Sequence, residues 1–275
     1  MISSHWKINS INMDHARRAF SAQAPFFDAY EKSNMILQWM RTQVYKHEKE
    51  FLSAGERIFE LNAGTGIDAV HFAQEGHPVF AIDIAEGMIS ELEKNVALFR
   101  LSDKLTFARC SFSDLHSLPP RRYEHVFSNF GGLNCIPDLG VVAAQLPPFL
   151  MPGATITLVI MPRICPWELA HILIGNSALA FRRLSKAGAP ANIEGYSFRS
   201  YYFSPEQVVQ KFGDTFDLVR LRGLASFSVP PYMLRFAENH PHLYRTLTRC
   251  DERLSSIPPF NRWADHFIIT LKYRG

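Results

Sequence analysis

The sequence predicts a doubly wound α/β protein built on a mostly parallel sheet of seven strands. Strand-length apolar runs alternate with segments of helical period over the first 160 of 275 residues, which is the pattern of βαβ units. A glycine turn joins the first strand directly to a helix at Ile58-Phe59-Glu60-Leu61-Asn62-Ala63-Gly64-Thr65-Gly66-Ile67-Asp68-Ala69. Composition agrees: 47% hydrophobic and 20% charged residues suit one globular chain long enough to bury most of its apolar surface.

The strands are predicted at 57–61, 78–83, 105–110, 125–129 and 154–160, with a sixth at 216–221 and a seventh at 265–272. Met88, Leu92, Val96 and Phe99 recur at three- and four-residue steps, as do Leu139, Val142, Ala143 and Leu146. Each set makes one apolar helix face for the sheet. After Met161 the pattern changes. Trp167 to Leu184 is apolar on nearly all sides, ends in Arg182, Arg183 and Lys186, and leads into a Gly/Pro/Asn-rich stretch up to Gly195. Residues 162–205 and 223–262 therefore read as cap insertions on a single domain spanning 1–275.

A net charge of +3 is too mild for a nucleic-acid footprint without a clustered patch, so a small neutral or apolar partner is expected. Cys110, Cys135, Cys165 and Cys250 stand far apart with no CxxC pair, which suggests reduced thiols and neither a zinc site nor a disulfide framework. The N-terminal stretch lacks a continuous apolar run, and nothing approaches a membrane span; a cytoplasmic protein is expected. Met13 offers a second start, which would make residues 1–12 a dispensable leader.

The glycine turn carries the chemistry. In a parallel sheet the turn after the first strand lies at the carboxyl edge, where glycines let the backbone approach a ligand and helix-terminal N–H groups face it. Seventeen residues after Gly66 the second strand ends in Asp83, whose carboxylate can accept from both hydroxyls of a ribose. A ribose-bearing cofactor is implied. A nicotinamide dehydrogenase shares that logic, and Ala69 fits the last place of its glycine motif. Here, however, Glu60 closes the strand and Asn62 takes the place of the first glycine.

These residues resemble the class I S-adenosylmethionine-dependent methyltransferases. ELNAGTG is similar to the commoner ELGCGTG, and GHPVFAIDIAEGMI resembles the second-strand segment, with Asp83 at the ribose and Ile84 and Met88 flanking the adenine. RCSFSDL, YEHVFSNFGGLN and LMPGA resemble the third-, fourth- and fifth-strand segments in order. FSAQAPFFDAYE resembles the helix that closes over the methionine end, which makes residues 1–50 a helical cover. The resemblance covers roughly residues 15 to 160, plus the DHFIITLK ending.

It implies a Rossmann-like sheet whose last strand is antiparallel, and S-adenosyl-L-methionine as cofactor with S-adenosyl-L-homocysteine as product. The cofactor is expected at Phe27, Glu60, Asn62, Ala63, Gly64, Gly66, Asp83, Ile84, Met88, Ser111, Phe112 and Asn129. Three of these depart from the family pattern: Asn62 replaces a glycine, Ser111 an aspartate, and Phe27 a tyrosine.

Methyl transfer from a sulfonium chiefly needs alignment and a dry pocket, and a base only where the acceptor arrives protonated. His266, beginning the last strand beside Asp265, is the first candidate base; a histidine at a strand end also serves simply to satisfy the core. Acceptor groups are expected at Gly131, Asn134, His171, Tyr201 and Tyr202. The two adjacent glycines, Gly131 and Gly132, suggest backbone close to a ligand. Asn129 is a poor stand-in for the acidic magnesium ligands of the catechol-type members, so no metal is expected.

The Trp167–Leu184 insert carries two readings. As a lid it supplies an apolar acceptor pocket with Phe198, Phe203 and Phe227; as a membrane-surface helix it sets its three cations against anionic headgroups. Either favours a bulky, partly apolar small-molecule acceptor, most simply one methylated on oxygen. A cofactor-binding subunit without turnover is the alternative that Asn62 and Ser111 leave open.

Overall fold

The computed structural model describes residues 2–275, with side chains from Ile11 onward; Met1 lies outside the described residues. Two helices come first, α1 (Ile2–Ser33) and α2 (Met35–Glu48). There follow β1 (Ile58–Leu61), α3 (Ile67–Gln74), β2 (Val79–Asp83), α4 (Glu86–Phe99), β3 (Leu105–Arg109), β4 (Tyr123–Ser128), α5 (Gly140–Ala143) and β5 (Leu150–Ile160). The remainder holds α6 (Pro166–Leu169), α7 (Ser177–Phe181), β6 (Ala189–Ile193), β7 (Tyr196–Ser200), α8 (Pro205–Phe212), β8 (Phe216–Leu224), α9 (Leu234–Asn239), α10 (Pro241–Leu254) and β9 (His266–Tyr273).

Seven strands form one sheet in the order β3-β2-β1-β4-β5-β9-β8. The first five pair in parallel, and β9 lies antiparallel between β5 and β8. This is the Rossmann-like, mostly parallel sheet with its last strand reversed that the sequence predicts. Reversal matters for the site, because it brings the first residue of β9, His266, to the edge where the parallel strands end. Phe267 pairs with Ile160, the last residue of β5.

Both faces of the sheet are covered, so its strands are apolar on both sides. On one face Phe59 stacks on Phe80 and Tyr123, with ring centroids 5.5 and 5.1 Å apart. On the other, Phe72 meets Phe127 edge-on at 5.0 Å. In α4, Met88, Leu92 and Val96 are buried as their spacing requires, but Phe99 is 45% exposed. The helix stops there because Arg100 turns left-handed (φ 56), and Leu101 folds back to donate its N–H to the Val96 carbonyl. Leu101 takes the buried place that periodicity assigned to Phe99.

The inserts differ from expectation. Trp167–Leu184 is no single helix: Gly175 (φ 77) separates α6 and a 3₁₀ turn from α7. Arg182 and Arg183 are paired with Glu168, so two of the three cations assigned to headgroups are already taken. The Gly/Pro/Asn-rich stretch forms a second sheet, the β6–β7 hairpin, which packs on α1. Residues 223–262 pack beside α2 through α9 and contribute no residue to the cavity at the strand ends. Asp251 pins this segment by accepting from the backbone N–H groups of Ser226, Phe227 and Ser228 at 2.7–2.9 Å. Asn12 is buried and bonds Cys135 O and the N–H and carbonyl of Arg199. No helix among the described residues is long and apolar enough to cross a membrane.

Candidate functional site

A cavity of about 370 Å³ opens at the carboxyl ends of β1, β2, β4 and β5. Its floor is the glycine turn. Asn62 (φ 49), Gly64 (φ 58) and Gly66 (φ 84) all adopt left-handed backbone. Asparagine tolerates that region better than other side-chain-bearing residues, which explains how Asn62 replaces a glycine. Its side chain also bonds: it accepts from the Ser128 hydroxyl at 2.6 Å and donates to Asn129 O at 3.2 Å, tying β1 to the end of β4. Gly132 has its reason here, because a Cβ on it would sit 2.4 Å from the Asn62 amide. Gly132 therefore approaches Asn62 closely, and both it and Gly131 (φ 69) line the cavity.

Asp83 ends β2 with its carboxylate accepting from Gly64 N at 2.9 Å and Ala85 N at 2.8 Å. Burial pushes this carboxyl above the ordinary aspartate range, and the backbone N–H bonds work against the shift. The remaining lone pairs suit a diol. Beside it, Ile84, Met88 and Phe112 make an apolar slot. Phe27, Ala63 and Asn129 also reach the wall.

Three of the expected cofactor residues stand off the wall. Gly66 caps α3, and its missing Cβ makes room for Leu92, which would otherwise lie 2.0 Å away. Ser111 turns inward to Ser113, pairing with its hydroxyl at 2.7 Å and accepting from its N–H. Glu60 is buried beneath the turn with Oε2 unpartnered, and burial together with nearby Asp68 holds its carboxyl well above the ordinary range.

Of the acceptor residues, Asn134, His171, Tyr201 and Tyr202 also lie off the cavity. Asn134 is a buried strut, bonding Tyr201 O at 2.5 Å and both backbone groups of Met161. Tyr202 lies under the Arg183 guanidinium, 5.2 Å from ring centroid to Cζ. His171 stays within the insert with Nδ1 buried. Phe203 and Phe227 do not reach the wall, and neither does any residue of Trp167–Leu184. The roof is instead α1 and the β6–β7 hairpin, through Phe20, Ala191, Ile193, Phe198 and Ser200.

A polar network unforeseen from the sequence closes one end. Arg41 of α2 bridges Glu31 of α1, at 2.8 Å, and Asp68 of α3. Asp68 also accepts from Tyr45 OH at 2.7 Å and Asn129 Nδ2 at 3.0 Å. Burial alone would push the Arg41 guanidinium toward neutrality, but Asp68 and Glu31 more than offset it and keep it charged. Asp28 fastens α1 to the turn, accepting from Thr65 at 2.5 Å and Asn95 at 3.1 Å.

Across the Phe130 ring from Arg41, His266 lines the cavity. Its Nδ1 lies 2.9 Å from Asp265 Oδ2, and Phe130 meets the imidazole edge-on at 5.9 Å. Burial alone would raise the Asp265 carboxyl, but His266 and Arg183 hold it well below the ordinary range. A glycine turn, a strand-end carboxylate, an apolar slot and a roofing helix fit an adenosyl cofactor extended along the strand ends.

Comparison with known proteins agrees. Residues 58–153 match a family model described as a methyltransferase domain. A demethylmenaquinone methyltransferase from Clavibacter sepedonicus is 29% identical over 134 residues, 47% of this chain. The chain matches only about half, 52%, of that relative's length. A 1,6-didemethyltoxoflavin-N1-methyltransferase from Burkholderia thailandensis, solved with its substrate and S-adenosylhomocysteine, superposes with a TM-score of 0.58 at 15% identity, over 95% of this chain and 88% of that one. An S-adenosylmethionine-dependent methyltransferase from Methanosarcina mazei gives 0.58 at 16%, over 82% and 96%. Residues 58–153 are thus similar to a methyltransferase domain, and the chain shares the fold of S-adenosylmethionine-dependent methyltransferases.

Proposed function

We propose that this chain transfers a methyl group from S-adenosylmethionine to a hydroxyl of a small, partly apolar acceptor, with His266 as the base. The observation that carries the reading is the imidazole on the cavity wall with its Nδ1 engaged by Asp265. The cofactor supplies an electrophilic methyl on a sulfonium. Asp83 would take the ribose hydroxyls, Ile84, Met88 and Phe112 the adenine, and Arg41 with the turn at Ala63–Gly64 the methionine end.

Met161, Cys135, Ala191, Ile193 and Phe198 then surround the acceptor with apolar surface and exclude water. Burial pushes the Cys135 thiol up to about 12, so it lines the chamber as an apolar group and not as a nucleophile. Orientation in such a pocket is worth on the order of 7–11 kcal/mol of barrier, and a positioned base adds roughly 10²- to 10⁴-fold. His266 Nε2 receives the hydroxyl proton, and the imidazolium so formed faces Asp265.

The reading assigns no role to a metal. Asn129 uses its amide on Asp68 and Phe130 N, and the cluster of Cys165, Glu168 and Asp265 has both carboxylates bonded to Arg183.

The test is calorimetry followed by a turnover screen. Wild type should bind S-adenosylmethionine and S-adenosylhomocysteine in the micromolar range and release S-adenosylhomocysteine with apolar phenols or acids. His266→Gln should keep the affinity and lose ~10²-fold or more in kcat. A full-rate variant would return His266 to a core-satisfying role. Binding without turnover of any acceptor would favour the non-catalytic subunit, which the off-wall Ser111 keeps in view.

A further inference from the structure

We propose that Arg183, carried by the insert between β5 and β6, is a positioning residue for His266. Seated between Glu168 and Asp265, it balances the Asp265 charge, so that Asp265 orients the imidazole without holding a second proton on it. The inference rests on the methyl-transfer reading only for what the base is used for; the arrangement itself is independent of the cofactor.

Arg183 is 3% exposed, and its guanidinium is spent entirely inside the protein. Nε and Nη2 donate to Glu168 Oε1 at 2.9 and 2.7 Å, Nη2 to Asp265 Oδ1 at 2.8 Å, and Nη1 to the carbonyls of Asp265 and Pro162 at 2.8 and 3.4 Å. Asp265 thus uses one oxygen for Arg183 and the other for His266 Nδ1. Its first oxygen is pulled toward the insert and its second toward the site.

Buried ion pairs seldom repay their desolvation in stability. A chain of four charges leading from an insert to one imidazole on a cavity wall has a better account in what it does to that imidazole. Two anions, Glu168 and Asp265, face two cations, Arg182 and Arg183. The set is neutral with a neutral ring.

The other groups packed here add no charge. The Cys165 thiol is pushed up to about 12 by burial, and the phenols of Tyr202 and Tyr232 are raised for the same reason. On the cavity side Phe130 stands between the ring and Arg41, whose own charge is met by Glu31 and Asp68. β8 brings Leu224, paired with His266 across the ladder. Without Arg183 the site would carry a net negative charge on a carboxylate 2.9 Å from the ring, and an imidazolium is the nearest group able to cancel it.

The insert is therefore a brace behind the base and not a lid over the acceptor. It also accounts for a segment that contributes nothing to the cavity wall yet buries an arginine and a glutamate.

The experiment is nitrogen-15 spectroscopy of the histidine rings at pH 7.5 in the full-length protein, with His266 assigned by the signal lost in His266→Gln. Wild type should show a protonated Nδ1 and a bare Nε2. Arg183→Met should lose the bare-nitrogen resonance and show both nitrogens protonated, and Arg183→Met with Asp265→Asn should recover a neutral ring. Arg183→Lys, which keeps the charge, should stay neutral. A ring in Arg183→Met indistinguishable from wild type overturns the proposal.

If Arg183→Met does not fold, Arg183→Gln, which keeps donors for Asp265 without the charge, decides: a doubly protonated ring is expected, and a neutral ring as in wild type overturns the proposal. Calorimetry with S-adenosylhomocysteine on the same samples separates the two readings. Failure of wild type to bind removes the methyl-transfer function and leaves the ring result standing.

Discussion

Asn62 and Gly132 form a matched pair. The asparagine holds a left-handed backbone position and fills the space over Gly132, so each explains the other's identity. Gly132→Ala should lower stability by about 1–3 kcal/mol through overpacking. In an Asn62→Gly background most of that cost should vanish, a coupling that a double-mutant cycle by thermal or urea unfolding reads directly. Strictly additive losses would place the strain elsewhere. Asp83 makes the same point about function. Asp83→Ala should weaken S-adenosylhomocysteine binding by ~10- to 150-fold, the loss of charge-assisted hydrogen bonds worth roughly 1.5–3 kcal/mol, as measured by calorimetry. Unchanged affinity would remove the ribose assignment.

Among elements, the roof is the informative part. α1 is strapped to the glycine turn by Asp28 and to α4 by Arg17, which pairs with Glu86 at 2.6 Å. The β6–β7 hairpin completes the cover, with Ala191 and Phe198 paired across its ladder and both facing the cavity. Ala191→Trp should fill the acceptor end, leaving S-adenosylhomocysteine affinity within about twofold while raising KM or abolishing turnover for the bulkier acceptors first. Equal loss for cofactor and acceptor would mean that the hairpin borders the cofactor instead. The hairpin's stretch, rich in Gly, Pro and Asn, reads locally as a loop. The two-residue turn at Glu194–Gly195, both at positive φ, makes it a hairpin, and packing on α1 supplies the burial that such short strands need.

Across the whole molecule, α2 links the site to the buried middle of the sheet. Its middle turn carries Arg41 to the cavity; its C-terminal end buries His47 against Thr270 at 2.7 Å and sets Glu48 2.7 Å from His125. Burial, then the nearby Arg222 and Arg220, hold the His47 imidazole down from its ordinary 6.5 to about 3. Below pH 6.5 the unfolded chain binds a proton that the folded chain refuses, so acid favours unfolding. Stability should fall as pH drops from about 6.5 toward 3, by at most ~1.4 kcal/mol per unit from this group. His47→Gln should flatten that slope in urea melts taken across the window, and an unchanged slope would assign the acid sensitivity to other groups.

Local order made much of this protein legible in its sequence. Strand runs, most of the helical periods, the turn at Gly64–Gly66 and the spacing to Asp83 are properties of short segments, and the strands lie within a few residues of where the sequence predicts them. His266 was legible for a related reason: the resemblance carried a strand direction, and direction alone brings that residue to the ligand edge. What only the tertiary structure decided is which side chains from distant segments meet. Arg41 with Glu31 and Asp68, Arg183 with Glu168 and Asp265, and the hairpin over the cavity have no spacing signature. The same holds for residues that turned away, such as Ser111, Asn134 and Tyr202, whose polar or aromatic groups found nearer partners in the packed chain. Backbone periodicity is set by residues a few positions apart, whereas the pairing of a buried charge is settled only when the folded chain brings its counterion within reach and removes the water that would otherwise solvate both.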